Sequence, residues 1–197
     1  MHKKINNYID VTKEWISNAN PNSHEIKELD YWIINNKKRK VDGKNILLDY
    51  SKSELECAKW LESTFGGEIF MCPRVNIPEG IRTPDFMWNN EYWDLKEIKT
   101  FGKRTFDNRI NGTKLQANNY VIDINKNKIS NNQAVNYFKK MFDSKDRNWV
   151  NLIIIKRNNE LIAILKRDWP PANCGRRPIS LNIIYIIFKI MSIIYYK

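Results

Sequence analysis

"RTPDFMWNNEYWDLKEIKT", residues 82–100, decides how this chain is read. Asp85 follows Pro84, Asp94 comes nine positions later, and Lys96 lies just beyond it. The runs "PDFMW" and "YWDLKEIKT" predict two strands joined by a hairpin turn at Asn89-Asn90. Side chains two apart on a strand share a face. Asp94 and Lys96 therefore point one way and Leu95 the other, and the turn sets residue 85 roughly opposite residue 94. Two carboxylates held that close repel unless positive charge lies between them. A divalent cation, a hard ion that takes carboxylate oxygens, is one answer. The other is a hairpin with a wet face, because "DLKEIK" alternates as any half-buried strand does. Spacing alone leaves both open.

Working outward, "SKSELECAKWLESTFGG" predicts a helix. Ser51 and Glu54 have capping-box spacing, Leu55, Ala58, Trp60, Leu61 and Phe65 supply an apolar face, and Gly66-Gly67 ends it. Glu54 lies on its first turn, where a fold brings it within range of the two aspartates as a third acid. "ILLDY" (46–50), "EIFMCPRV" and "YVIDI" predict strands, and "NNQAVNYFKKMF" an amphipathic helix. "WVNLIIIKR" and "ELIAILKR" predict a second hairpin around Asn158-Asn159. A helix is expected near 113–118. Another is expected within 20–36, with Ser23 as N-cap and Ile26, Leu29, Ile33 and Ile34 near helical spacing. The coarse order is a leading helix, an α-β-β-β-α-β unit, then a helix and a hairpin. The fold class is α/β, with a mixed four-stranded sheet, flanking helices and a C-terminal β-hairpin.

A length of 197 residues suits one domain with a decorated end. With 42% hydrophobic and 28% charged residues the chain is globular rather than disordered. The net charge of +11 suggests a polyanionic partner, nucleic acid being the commonest, although a Lys- and Asn-rich composition also follows AT-rich coding. Cys57, Cys72 and Cys174 have no C-x-x-C spacing, which speaks against structural zinc, and an odd count suits reduced thiols in a cytosol. His2 and His24 are the only histidines, so a metal-free nuclease with histidine acid and base is hard to build. "MHKKINNYID" has no apolar run of the kind a signal peptide needs.

Two basic stretches stand out. Lys37 to Lys40 make either a nucleic-acid patch or a solvated linker. "FGKRTFDNRINGTK" carries Lys103, Arg104, Arg109 and Lys114, with Thr105 and Asn108 among them and Gln116 just beyond. These are residue types that contact phosphates, and also those of a solvated loop. Trp88, Tyr92 and Trp93 stack on bases or pack in a core, with core packing expected for at least two. After Asp168 the chain has no acid, and 179–196 is almost wholly apolar. That length is at the lower edge for a membrane span, and Lys189 near its middle argues against one.

The arrangement Pro84-Asp85 … Asp94-Leu95-Lys96 resembles the signature of the PD-(D/E)xK nuclease superfamily. More narrowly, the stretch from about Val41 to Lys166 resembles the tRNA nuclease domain at the C-terminus of CdiA contact-dependent inhibition toxins, relatives of which occur in phage and mobile-element proteins. The resemblance rests on "VDGKNILLDYS", "GGEIFMCPRVN", "TPDFMWNNEYWDLKE" and "KLQANNYVIDI". It implies a PD-(D/E)xK-like core in 41–168, with a helical lead in 1–40 and an apolar basic tail in 169–197 that lie outside the family pattern. It implies Glu54, Asp85 and Asp94 as ligands of a divalent metal, Mg2+ or Mn2+, and Lys96 as the catalytic lysine. Lys114 would be a second basic site residue, and Arg104, Thr105, Asn108 and Gln116 would contact nucleic acid. Glu97 faces away and is expected as a surface residue or a helper. The implied activity is metal-dependent endoribonuclease cleavage of tRNA in a target cytoplasm, with a cognate immunity protein as partner. A DNA endonuclease of the same superfamily and an inactive nuclease-like phage structural protein are the alternatives.

Overall fold

A computed structural model of the chain describes residues 7–100, 110, 116–126 and 128–168. Its centre is an eight-stranded mixed sheet. In chain order the strands are β1 (Tyr8–Asp10), β2 (Ile26–Glu28), β6 (Ile69–Met71), β8 (Phe86–Trp88), β9 (Glu91–Glu97), β10 (Asn119–Asp123), β11 (Leu152–Arg157) and β12 (Glu160–Arg167). Their spatial order is β1-β12-β11-β10-β9-β8-β6-β2. Two small ribbons stand apart: β3 (Tyr31–Ile34) with β4 (Lys37–Lys40), and β5 (Ile46–Leu47) with β7 (Arg74–Val75).

β10 is parallel to both β9 and β11, so both of its faces are covered. Tyr120 and Ile122 pack with Ile153, Ile155 and Phe138 on one side, under α3 (Asn131–Phe142). Val121 and Ile154 pack with Leu61, Phe86 and Trp93 on the other, under α2 (Lys52–Phe65). Near-continuous apolar runs in β10 and β11 follow from that double burial. Ser51 and Glu54 close the predicted capping box on α2, and Ser130 with Gln133 closes another on α3.

Both predicted hairpins form. The φ angles are +50° and +64° at Asn89 and Asn90, and +50° and +63° at Asn158 and Asn159. Positive φ at both central residues matches the right-handed twist of the flanking strands.

Several expectations are corrected. The stretch 20–36 is not a helix: it contains β2 and β3, and Asn35-Asn36 (φ +50° and +60°) make a third hairpin turn into β4. β2 is drawn onto the free edge of β6, and Ser23 accepts a hydrogen bond from the Gly67 N–H at 2.8 Å instead of capping a helix. The first forty residues are therefore no helical lead; β1 and β2 belong to the main sheet, and the helix α1 (Thr12–Ser17) brings Trp15 edge-on to Phe65 and Trp88. The sheet has eight strands rather than four because the C-terminal hairpin β11–β12 continues it beside β10 and these two short segments join its edges. "EIFMCPRV" is two strands, broken at Cys72-Pro73, where the chain leaves β6 and pairs with β5. Of the helix expected near 113–118, Gln116 is in a turn and Asn118 in a bend, none of 116–118 is helical, and 113–115 lie outside the described residues, as does the tail from 169. No helix among the described residues is long and apolar enough to cross a membrane.

Gly66 shows how tightly α2 is seated. It has φ +74°, and a β-carbon there would lie 1.8 Å from the Asn20 carbonyl oxygen. Its own carbonyl accepts the Trp88 indole N–H at 2.9 Å. Gly66→Ala is expected to cost about 3 kcal/mol or more, read by urea unfolding. A cost below about 1 kcal/mol would show that the Asn20 loop yields freely.

Candidate active site

The register at the Asn89-Asn90 turn pairs Phe86 with Trp93 and Met87 with Tyr92. Extending it one step sets Asp85 opposite Asp94. Here the ladder gives way to side-chain bonding. The Asp85 N–H donates to the Trp93 carbonyl at 3.1 Å and its carbonyl accepts the Cys72 N–H at 3.0 Å. Its carboxylate accepts the Leu95 N–H at 2.6 Å, doing the work of a strand carbonyl. Asp85 is thus fixed by its neighbours in both adjoining strands.

Asp94 is 1% exposed, and its Oδ2 forms an ion pair with Lys96. That oxygen accepts no well-aligned hydrogen bond, so its compensation is electrostatic. Lys96 keeps 15% side-chain exposure and opens to the cavity beside it. As the strand period predicts, Leu95 packs on the opposite side, in the core under α2. Glu97 also faces that way, 3.5 Å from the Lys126 ammonium.

Burial pushes the Asp85 carboxyl up to about 8, helped by the adjacent Asp94 and by Glu54. The Leu95 N–H opposes the rise but does not cancel it. The cavity at this point holds about 330 Å³ and brings together Glu54, Asp85, Asp94, Lys96, Arg74 and Gln116. The Glu54 carboxylate is shared: Oε2 accepts the Ser51 N–H at 2.7 Å, and Oε1 lies 3.7 Å from the Arg74 guanidinium. Gln116 donates to the Thr83 carbonyl at 3.1 Å, which ties the residues before β10 to the loop before Asp85. Burial also raises the Cys72 thiol, making it a poor nucleophile.

All four expected catalytic residues therefore line one cavity. Arg104, Thr105, Asn108 and Lys114 lie outside the described residues. Trp88 and Trp93 are core, while Tyr92 is half-buried with its ring centroid 5.7 Å from that of Trp32. Arg74, Asp49 and Thr83 were not expected at the site. Arg74 is delivered by the β5–β7 ribbon, and no local pattern in "CPRV" announces it.

Among the described residues no set of three or more His, Cys, Asp or Glu stands in a metal-ligating arrangement. The donor chemistry nonetheless suits a hard cation. Two carboxylates face one cavity, one with an oxygen lacking a well-aligned donor, the other holding a proton near neutrality because of its burial and, next, its neighbour. A cation there would replace that proton. Glu54 shares the cavity, but its helix-cap bond and Arg74 already engage its oxygens.

A family model, the contact-dependent growth inhibition CdiA C-terminal domain, matches residues 82–161. A search of curated proteins finds no match. Among solved structures, the chain is similar to one in a CdiA-CT/CdiI toxin and immunity complex from Burkholderia pseudomallei. Identity is 18% and the TM-score 0.46, over 72% of this chain and 98% of that one.

The raised Asp85 carboxyl sets a pH dependence. The folded protein holds this proton up to about 8, whereas the unfolded chain releases it near 3.8. Its contribution to stability is full below the unfolded value and is lost as pH rises through the folded one. In EDTA, wild-type stability should fall between roughly pH 4 and 8, and Asp85→Asn should flatten that fall by more than about 1 kcal/mol. Parallel unfolding curves for the two proteins across this range would show that Asp85 is not the group responsible.

Proposed function

We propose that this chain is a metal-dependent endoribonuclease that cleaves tRNA and acts as a toxin in the cytoplasm of a target cell, held in check by a cognate immunity protein. The observation that carries the nuclease assignment is the buried Asp85–Asp94 pair with Lys96 beside it on a single hairpin. The family match covers the segment that bears these three residues, and the net charge of +11 suits a polyanionic substrate. The name of that family supports the toxin role, and the sequence resemblance to CdiA toxin domains implies the immunity partner.

Asp85 and Asp94 would hold a divalent ion, Mg2+ or Mn2+, with Glu54 at the side of the same cavity. When bound, such an ion activates water and neutralises charge on the phosphate. Asp85, fixed through Leu95 N–H, Trp93 and Cys72, keeps its carboxylate in place with little reorganisation. Asp94 anchors the Lys96 ammonium, and an ammonium has three donors. The remaining donors orient the attacking water or stabilise negative charge developing on the phosphoryl oxygens. Arg104, Thr105, Asn108, Lys114 and Gln116 would hold the RNA around the cut.

Incubation of total tRNA with purified protein in Mg2+ should yield discrete fragments that EDTA abolishes. Asp94→Ala should lose both cleavage and cation binding. Lys96→Ala should keep cation binding, read by calorimetry, while cleavage drops by about 10²–10³-fold. Cutting of duplex DNA in place of tRNA would reassign the substrate. Silence on both, from a folded sample, would leave the hairpin as a charged strand pair and the nuclease assignment wrong.

A further inference from the structure

The β3–β4 ribbon has no part in the chemistry above, yet its charge is the most concentrated on the described surface. β4 is Lys37, Lys38, Arg39 and Lys40, exposed along its whole length. Across the ladder these four meet Ile34, Ile33, Trp32 and Tyr31, so no acid stands opposite any of them. No ion pair among the described residues involves them. Like charges this close repel, and a strand normally relieves that with acidic cross-strand partners. A lysine on an exposed edge also blocks edge-to-edge pairing, but one or two serve that end, and four in succession exceed it.

The ribbon's two faces differ. Ile34 and Trp32 turn toward a small core with Ile46, Val75 and Ile81. Tyr31 and Ile33 share the other face with Lys38 and Lys40; Ile33 is 60% exposed, and the Lys38 ammonium lies 3.7 Å from the centroid of the Tyr31 ring. Aromatic surface among phosphate-binding cations is the composition of a single-strand nucleic-acid platform. The ribbon is also tied to the site. Val75 and Ile81 line the cavity of Asp85 and Asp94, and Trp32 packs on Tyr92, two residues before Asp94 on the same face of β9.

We propose that the β3–β4 ribbon is a phosphate-backbone arm, holding the nucleic-acid strand to one side of the bond that is cut. This rests on the endonuclease assignment for its substrate, and it adds a specific binding surface. Lys38 and Lys40, about 7 Å apart along the strand, make the central contacts, with Lys37 and Arg39 at the ribbon's flank.

The test uses the full chain with Lys37, Lys38, Arg39 and Lys40 all changed to Gln, its fold checked by near-UV circular dichroism. Fluorescence anisotropy with labelled tRNA in EDTA is followed from ~50 to ~200 mM salt. Affinity should fall at least about tenfold at the low-salt end, and the slope of log Kd on log salt should shrink by about two. In Mg2+ the loss should fall on KM for tRNA, whereas Lys96→Ala loses kcat. Unchanged affinity and slope in a variant that still cuts RNA would overturn the arm and leave the nuclease standing. Self-association of the variant with unchanged RNA affinity would also overturn it, assigning the lysines to edge protection. If the wild type cuts nothing but the variant loses its salt-dependent RNA binding, the arm stands and the nuclease falls.

Discussion

Two successive positive φ angles at Asn89 and Asn90 fix where Asp85, Asp94 and Lys96 go. A two-residue turn of this kind permits one register, and a slip of one residue would turn Asp94 and Lys96 into the core under α2 and put Leu95 in the cavity. Asn89 is held in turn: its side-chain oxygen accepts the Glu68 N–H at 3.1 Å, and its N–H donates to the Glu68 carbonyl at 2.9 Å. The turn is thereby locked to the chain entering β6, one strand away. The convergence of two acids is a consequence of turn geometry, not of any attraction between them.

What the turn imposes, the electrostatics resist. Asp94 is almost wholly buried with one ammonium for company, and Asp85, raised by its own burial first and by Asp94 second, keeps its proton to about 8. A stability-optimised hairpin would place neutral residues here, since burying like charges costs free energy unless it is compensated. Glu54 adds a further link. One carboxylate oxygen caps α2 and the other faces Arg74, so the helix start, the β5–β7 ribbon and the acid cavity share one side chain. Substituting it would disturb a helix cap as well as the site, and a loss of activity at Glu54 would not by itself separate the two roles.

The three Asn-Asn turns show what the sequence makes legible. At 89–90 and 158–159 the pair lies between runs long enough to show strand character, and both hairpins are predictable. At 35–36 the same device is hidden, because Ile26, Leu29, Ile33 and Ile34 mimic helical spacing across β2, its turn and β3. Strands of three residues are too short for a period of two to outvote a period of 3.6. β1 and β2 are drawn into place by the open edges of β12 and β6, a tertiary effect with no local signature. The same holds within the site. Asp85, Asp94 and Lys96 are legible because one hairpin carries all three, whereas Arg74 and Thr83 arrive from segments whose placement depends on the whole sheet.

β9 divides two cavities of similar size, and the contrast between them bears on which one is built for a ligand. Leu95 and Glu97 line the cavity on the α2 side together with Asp123, Lys126 and Lys156. There the charges compensate one another: Lys156 donates to Asp123 at 3.1 Å and to Asn159 at 3.3 Å and lies 5.0 Å from the Trp60 ring, and Lys126 faces Glu97. That cluster reads as a buried ion pair holding β10, β11 and the β11–β12 turn together. On the other side, Asp94 and Lys96 leave Asp85 without a cation of its own, and its carboxyl retains a proton in that role. The same strand, by its alternation alone, thus presents one face whose charges are paired with one another and one where a buried carboxyl, Asp85, is held protonated to about 8 beside the Asp94–Lys96 pair.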